Sequence, residues 1–384
     1  MGPGINKRFA ENKTEYGNAM AKVTVYGTGT NTELEQSSPI VTRRGAQKAK
    51  IQTRGMVRKV ESRKPSAALL EAKKKAREKL NNSPKRSSGE TITIRDIYQS
   101  MMDSIQTIRG ATGIMYDDRM AEHRCLWDPN FPECPERYTR VVERCRELKL
   151  IDRCVQLSPR EATVDEILTK HTQELYDLLK STSQNEDEEQ MEELCTKYDA
   201  IFIHPTTFQL SVLAVGSTIE LIDNIVSNKV QNGMAIIRPP GHHALKSEYN
   251  GYCFFNNVAI AAQHALDNRG LNRILLVDWD IHHGQASQRM FYNDPRVLYF
   301  SIHRYDHGTF WPNLRESDFD WVGEGDGKGY NINVPLNKTG MTNADYLAIF
   351  QQILMPVAIE FQPELVIVSA GYDGTYGCPE VCLI

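Results

Sequence analysis

The sequence predicts an α/β fold, built on an open and mostly parallel sheet that is flanked by helices. From about Thr91 onward, helical patterns alternate with short strand patterns. The strand patterns are continuous runs of valine, isoleucine and leucine, which are typical of strands covered on both faces. A chain of 384 residues with 40% hydrophobic residues is large enough to bury the core of such a domain.

The predicted elements follow one another as helices and strands. Thr163 and Glu166 form a capping-box pattern ahead of an expected helix over 167–179. Pro239, Pro240 and Gly241 end a short apolar run, as expected of a buried strand that enters a loop. That strand is expected at 234–237. The other expected elements are helix 208–225, helix 255–266, strand 273–280, strand 297–303, helix 343–361 and strand 365–370.

Residues 1–90 have a different composition and are predicted to be a disordered basic tail, with the folded domain over 91–384. Between Thr42 and Ser87 there are sixteen basic and three acidic residues, so this segment carries +13 and the remainder −17 of the total −4. Such a polar segment buries too little apolar surface to offset its chain entropy. We expect either a solvated linker or an electrostatic arm for an acidic partner.

Several functional classes are not indicated by the sequence. The eight cysteines include no C-x-x-C pair and are expected to be reduced and intracellular. We find no apolar run of about 20 residues, no signal core and no direct nucleic-acid motif. The sequence therefore predicts a chain without membrane association, located in the cytoplasm with a nuclear pool.

Residues of metal-binding type follow the predicted strands. His242 and His243 follow one strand, Asp280 and His282 follow a second, and Asp373 follows the last. The carboxyl ends of parallel strands meet at one edge of a sheet, and residues two apart point the same way. A lone histidine pair or strand-end aspartate is commonly a packing or capping feature, but this convergence favours function. Two carboxylates and one imidazole leave a coordination position for water, which is typical of catalytic zinc.

The strings around these positions are RPPGHHA at 238–244, GYCFFNN at 251–257, DWDIHHGQ at 278–285, FSIHRY at 300–305, FWP at 310–312 and SAGYD at 369–373. In these strings the sequence resembles the zinc-dependent histone deacetylases of class IIb. The resemblance covers the chain from about Thr112 to Pro379 and leaves residues 1–90 outside. It implies an arginase/deacetylase-like fold and hydrolysis of acetyl-lysine on histone-type or tubulin-type protein substrates.

The resemblance implies a catalytic role for each member of the cluster. Asp280, His282 and Asp373 match the ligands of one zinc ion, which would polarise the acetyl carbonyl and acidify the attacking water. His243 matches the general base and acid. Its partner imidazole is His242, and Asp278 matches the carboxylate that orients His242.

Further residues are implied to bind the substrate or a second ion. Gly251, Tyr252 and Trp311 match the substrate-binding positions, with the two aromatic rings as walls of an acetyl-lysine tunnel. Asp278 and Ser301 match the ligands of a structural potassium ion. Gln285 stands where many relatives carry an acid or a different amide near the second histidine.

The end of the sequence departs from the family pattern. Only eleven residues follow Asp373, whereas the family continues to a late strand and a glycine-rich loop with a tyrosine. In the family that tyrosine hydroxyl donates to the developing oxyanion, and loss of one such donor costs about 2.7 to 4 kcal/mol. The sequence thus resembles a C-terminally truncated member with weakened deacetylase activity.

Two other functions are left open. The first is a catalytically inactive isoform that binds acetyl-lysine or a protein partner. The second is deacetylation of polyamines or other small molecules, which shares the chemistry but does not fit the class II strings around Trp127 and Trp311.

Overall fold

The computed structural model describes residues 111–183, 185, 187–375 and 378, together with the backbone of residues 21–27. The described residues form an eight-stranded sheet in which every strand pairing is parallel. The strands are β1 (Ala21–Gly27), β2 (Thr112–Met115), β3 (Val155–Gln156), β4 (Asn232–Ile236), β5 (Ile274–Asp278), β6 (Val297–Arg304), β7 (Asn331–Leu336) and β8 (Leu365–Gly371). Their spatial order is β3-β2-β4-β1-β8-β5-β6-β7, so the predicted parallel α/β fold is confirmed.

Helices connect the strands and cover both faces of the sheet. They are α1 (Glu136–Glu147), α2 (Val164–Leu168), α3 (Gln173–Thr182), α4 (Glu188–Cys195), α5 (Thr207–Val226), α6 (Asn257–Asn268), α7 (Gln285–Phe291), α8 (Asn343–Ile349) and α9 (Met355–Phe361). A π-helical turn over Phe350–Leu354 joins α8 to α9.

Strand β5 shows why the central strands read as continuous apolar runs. All five of its residues are buried. Ile274 and Leu276 pack into the larger apolar cluster on one face of the sheet, and Leu275 and Val277 pack into the smaller cluster on the other. Because both faces are covered, the strand needs an apolar side chain at every position until Asp278 ends it.

The register of β5 brings the functional loops together. Asp278 at its carboxyl end pairs with Ser369 of β8 on one side and with Ser301 of β6 on the other. The loops that follow β5 and β8 therefore leave the sheet side by side, at the edge where a parallel sheet collects its functional groups.

The sequence predicts no segment that is long and apolar enough to cross a membrane, but helix α5 is an exception. Thr207–Val226 meets that test by length and composition. However, 78% of its most apolar 18-residue window is buried inside the protein, and the helix packs against α6 and the sheet. A core helix of a water-soluble domain passes the same test, so this is weak evidence for a membrane span.

The structure also corrects the predicted elements. Residues 21–27 lie within the segment predicted to be a disordered tail, yet they form β1 between β4 and β8. The polar composition of the residues on either side hides this short strand signal, although Val23 and Val25 alternate with Lys22 and Thr24. The rest of residues 1–90 and the predicted domain boundary near residue 90 lie outside the described residues.

Two predicted helices are interrupted. The segment expected as one helix over 167–179 forms α2 and α3, because Thr172 caps a new helix by accepting a hydrogen bond from the Leu175 amide. The helix expected over 343–361 contains the π-helical turn. Strands β2, β3 and β7 were not predicted, since they are short or carry polar residues and Pro335.

Candidate active site

The three predicted metal ligands converge at the carboxyl edge of the sheet. Asp280 and His282 lie on the loop after β5, and Asp373 follows β8. One ligand atom from each lies within 4.8 Å of the others. His282 Nδ1 is 3.1 Å from Asp280 Oδ1 and 3.0 Å from Asp373 Oδ2. The Ile281 amide donates to Asp373 Oδ1 at 3.0 Å, which fixes the carboxylate from the neighbouring loop.

The electrostatics of this cluster suit a divalent cation. Burial alone would lower the pKa of His282, but Asp280 and Asp373 outweigh it and raise that pKa to about 10. Burial acts to raise the pKa of Asp280, but the neighbouring His242 and His282 hold it well below its ordinary value. Ionised carboxylates beside an imidazole form a donor set that fits zinc.

Gly371 makes room for this donor set. A Cβ atom at position 371 would collide with the carboxylate of Asp280. The absence of a side chain on β8 therefore allows the Asp280 carboxylate to lie against the neighbouring strand, within reach of Asp373. Position 371 therefore needs glycine for space and not for its backbone torsions.

The rings of His242 and His243 lie against each other beside the cluster, with centroids 3.8 Å apart and planes tilted by 44°. His242 Nδ1 lies 2.9 Å from Asp278 Oδ2, a carboxylate that also accepts from the Tyr299 hydroxyl at 3.2 Å. Burial lowers the pKa of His242, but Asp278 and Asp280 raise it more, to about 9. Burial raises the pKa of Asp278, and His242 opposes that shift. His242 therefore favours its protonated form.

His243 has the opposite character. Its Nδ1 lies 2.7 Å from Gln285 Oε1, and Gln285 Nε2 donates to Asn250 Oδ1 at 3.1 Å. Because the amide presents its oxygen, Nδ1 of His243 must carry the proton, and Nε2 keeps a lone pair. Burial and the neighbouring His242 lower the pKa of His243 well below its usual value. Two adjacent histidines with opposed pKa shifts are typical of an acid/base site.

Aromatic side chains cover the imidazoles. Trp311 meets His243 edge to face, with centroids 4.6 Å apart, and lies 5.6 Å from His282. Phe310 stacks on His282 at 5.2 Å with an interplanar angle of 16°. Gly251 lies against His243 and Trp311 with φ +53°, and a Cβ atom at this position would be 2.6 Å from each of them. The structure thus places Gly251 and Trp311 at the candidate site.

Tyr252 and Ser301, the other two predicted site residues, lie close to these groups. The Tyr252 ring packs edge-on against Phe131 at 5.8 Å and under the Arg137 guanidinium at 5.4 Å. Its role as a second tunnel wall stays a prediction. The Ser301 hydroxyl is buried 2.8 Å from His303 Nδ1, and its residue pairs in register with Asp278.

Three residues that complete the site were assigned no role from the sequence. Phe310 had a signal, because it directly precedes Trp311. Asn250, which orients Gln285, and Asp199 had none, since loop residues without a periodic pattern are brought in only by the fold. Asp199 is exposed, and its Oδ2 accepts a hydrogen bond from Trp311 Nε1 at 2.8 Å.

Comparisons with known proteins agree with this site. The histone deacetylase domain model matches residues 131–381, more than half of the chain. Human polyamine deacetylase HDAC10 is 50% identical over 273 residues, which is 70% of this chain and 40% of that protein. A crystal structure of the HDA15 HD domain has a TM-score of 0.65 and 33% identity, and covers 71% of this chain and 75% of that one.

The sequence motifs also predict a finer placement, nearest to the first catalytic domain of histone deacetylase 6. The comparisons do not specifically support it, since histone deacetylase 6 of Caenorhabditis elegans is 41% identical over 278 residues, 70% of this chain and 28% of that protein. The chain spans about two fifths of the length of the HDAC10 relative. The matched domain, the shared fold and the converging site residues show that the chain belongs to the histone deacetylase family.

Proposed function

We propose that this chain is a zinc-dependent amide hydrolase that removes the acetyl group from lysine side chains of proteins. One observation carries the proposal: His243, with its lone pair on Nε2, lies beside the cluster of Asp280, His282 and Asp373, its ring centroid 6.1 Å from that of His282. Asp280, His282 and Asp373 would hold the zinc ion. When bound, the ion supplies Lewis-acid chemistry, which polarises a carbonyl and lowers the pKa of water.

The side chains around the proposed zinc site have different roles in proton transfer. His243 takes the proton of the attacking water on Nε2 and returns it to the departing lysine amine. Gln285 keeps the His243 ring in the tautomer that this step needs, by accepting from Nδ1 at 2.7 Å. Asp278, whose carboxylate lies 2.9 Å from His242 Nδ1, orients this second imidazole beside His243.

The aromatic residues recognise the substrate stem. Trp311 presents its ring beside His243 and His282, Tyr252 is the proposed second wall, and Phe310 stacks on His282 with the Arg304 guanidinium 4.4 Å over its ring. An acetylated lysine has lost its charge, so its methylene stem and amide fit between such faces better than a free lysine does. Histone-type and tubulin-type acetylated proteins are the proposed substrates.

A structural potassium ion is proposed next to the sheet edge. Asp278 and Ser301 are paired in register on adjacent strands and are fully buried. Ser301 lies 2.8 Å from His303 Nδ1, and its oxygen keeps lone pairs for a cation. Replacing potassium by a larger organic cation should then lower the melting temperature.

The test of the proposed function is acetate release from an acetyl-lysine peptide by the zinc-loaded 384-residue chain. We expect turnover that falls at least a hundredfold in His243→Ala, because general acid–base catalysis contributes about 10² to 10⁴. His264→Ala is the matched control, since this histidine lies on α6 and bonds Asp223 at 2.9 Å. A folded, zinc-loaded chain without turnover would make it an acetyl-lysine-binding or partner-binding protein.

A second candidate substrate class is acetylated polyamines. HDAC10 proteins from four vertebrates, named polyamine deacetylases, are 49% to 50% identical to this chain. Asp199 adds a structural reason, since its exposed carboxylate beside Trp311 can pair with a second ammonium group. If polyamines are the substrates, kcat/KM for acetylspermidine exceeds that for the peptide, and Asp199→Asn lowers only the former. The opposite ranking favours protein substrates.

We also propose that the enzyme acts in the cytoplasm with a nuclear pool, and that its basic segment binds an acidic partner. The support is the sixteen basic residues between Thr42 and Ser87, a segment outside the described residues. Imaging of the tagged chain, with and without residues 42–87, tests both points. A purely nuclear signal would contradict the first, and binding to partners that ignores salt would contradict the second.

A further inference from the structure

A buried polar network lies behind the candidate active site, and the mechanism above does not use it. We call it the Gln288 network; its side chains are Gln288, His283, Ser317, Asn331, Asn333 and His303, and all are buried. Buried polar groups are costly unless they are paired, so such a concentration requires a reason.

Gln288 on α7 is the centre of the network. Its Oε1 accepts from Asn331 Nδ2 at 2.9 Å and from Asn333 Nδ2 at 2.8 Å, and lies 3.0 Å from His283 Nε2. Its Nε2 donates to the Glu316 carbonyl at 2.9 Å. Since a backbone carbonyl can only accept, this contact fixes which end of the amide is oxygen.

The direction of the hydrogen bonds through His283 follows from that orientation. Because Gln288 Oε1 can only accept, His283 Nε2 must donate to it. In a neutral ring, Nδ1 then accepts from the Ser317 hydroxyl, which lies 2.8 Å away. The Ser317 hydroxyl thus donates to the loop that carries His282.

The other half of the network is oriented in the same way. The Ser317 carbonyl lies 2.7 Å from His303 Nε2, so this nitrogen donates. Burial lowers the pKa of His303 to about 4, and its neutral ring accepts from the Ser301 hydroxyl at Nδ1. Ser317 therefore accepts a hydrogen bond from His303 through its carbonyl and donates one to His283 through its hydroxyl.

The network joins two loops that meet at the candidate site. His283 directly follows the metal ligand His282 on the loop after β5. Ser317 lies on the long loop between β6 and β7, which also carries Phe310 and Trp311. On the same two loops, Phe310 stacks on His282, the residue next to His283, at 5.2 Å. The aromatic contact and the buried network thus hold the metal-ligand loop at two consecutive residues.

Helix α7 links this arrangement to the general base. Gln285 and Gln288 are three residues apart on α7, so their side chains lie on neighbouring positions of one helix face. Gln285 orients His243, and Gln288 orients the network. One short helix therefore sets the tautomer of the base and the position of the two loops.

We propose that Gln288 and Ser317 are positioning residues, which hold the loop of Phe310 and of the tunnel wall Trp311 at a fixed distance from the metal-ligand loop. This inference rests on the proposed function, because the wall is assigned to substrate binding there. The effect of the network is on the geometry of the acetyl-lysine tunnel, not on the donor set itself. Loss of a contact in the network should weaken substrate binding while zinc stays bound.

The test compares two serine-to-alanine variants of the full chain. Ser317→Ala removes the hydroxyl that holds His283 at 2.8 Å and keeps the carbonyl that holds His303. Ser287→Ala is the matched control, since this buried serine, next to Gln288 in sequence, bonds Asn256 at 3.1 Å instead. The measurements are kcat and KM for an acetyl-lysine peptide, and the zinc content.

For Ser317→Ala we expect KM to rise about tenfold, which corresponds to about 1.4 kcal/mol, with kcat within threefold and one zinc per chain. In Ser287→Ala, KM should stay within twofold of the wild type. Gln288→Met should raise KM further. If Ser317→Ala shows the same kinetics as Ser287→Ala, or loses zinc in proportion to activity, the positioning role is overturned, and this holds even where Gln288→Met fails to fold.

A second readout separates this inference from the proposed function. If the zinc-loaded wild type binds the labelled peptide without turnover, the proposed hydrolysis fails, and the dissociation constant replaces KM. Ser317→Ala should then weaken peptide binding about tenfold relative to Ser287→Ala. Equal affinities overturn the inference, and a wild type that neither turns over nor binds the peptide overturns both.

Discussion

Replacing Gln285 by glutamate should change the pH dependence of the reaction through His243 alone. Gln285 Oε1 lies 2.7 Å from His243 Nδ1, and glutamate has nearly the same shape. The substitution places a negative charge where a neutral amide accepts a hydrogen bond. Asn250 can accommodate it by turning its amide so that Nδ2 donates to the new carboxylate.

The size of the effect follows from Coulomb's law. Two unit charges about 4 Å apart at an effective dielectric constant of about 20 interact by about 4 kcal/mol, or about 3 pKa units. Measured shifts beside an opposite charge are about 1 to 3 units. The carboxylate stabilises the imidazolium, so the pKa of His243, which burial holds well below its usual value, must rise.

The assay is kcat/KM for an acetyl-lysine peptide from about pH 5 to about pH 9. A base must be deprotonated, so the acid limb of the profile should move to higher pH by about 1 to 3 units in Gln285→Glu. Gln352→Glu introduces the same charge at an exposed position and should leave the limb in place. An unmoved acid limb in Gln285→Glu, with zinc and fold retained, would refute His243 as the base.

Three further predictions concern stability and the site. His171 Nδ1 donates to the Leu245 carbonyl while Nε2 accepts from the Asn256 amide, and burial lowers its pKa to about 4. Below about pH 6.5 the unfolded chain therefore binds more protons than the folded chain. Between about pH 7 and about pH 5, urea unfolding should show the wild type losing about 2 kcal/mol more of its free energy of unfolding than His171→Gln loses. Equal losses in the two chains would contradict this. Glu133→Ala leaves the fully buried Arg238 without its carboxylate and should lower the free energy of unfolding by about 3 to 5 kcal/mol, whereas a loss below about 1 kcal/mol would show the pair to be dispensable. Gly251→Ala forces a side chain into φ +53° and against His243, so acetate release should fall more than tenfold with zinc still bound; unchanged release would remove Gly251 from the site.

The sequence predicts most readily what a buried parallel sheet imposes. Strand β5 needs apolar residues on both faces, and its carboxyl end must carry the functional groups, so Asp280 and His282 could be located before the structure. Strand β1 was missed, since its short alternation of Val23 and Val25 with polar residues lies in a segment whose polar composition predicts a tail. Its place between β4 and β8 depends on long-range pairing.

The details of the site depend on contacts that have no sequence pattern. The tautomer of His243 depends on Gln285, 42 residues away in the chain, and through it on Asn250. The Trp311 indole is held by Asp199, 112 residues away. Residue types and strand ends predict which chemistry is present, whereas these second contacts decide which imidazole acts as the base.

The most direct test of the account is acetate release from an acetyl-lysine peptide by the zinc-loaded chain, with His243→Ala and Asp373→Asn measured beside it. The account predicts turnover in the wild type, loss of turnover with zinc retained in His243→Ala, and loss of both zinc and turnover in Asp373→Asn. Turnover that survives in His243→Ala, or zinc bound equally by Asp373→Asn and the wild type, would contradict it.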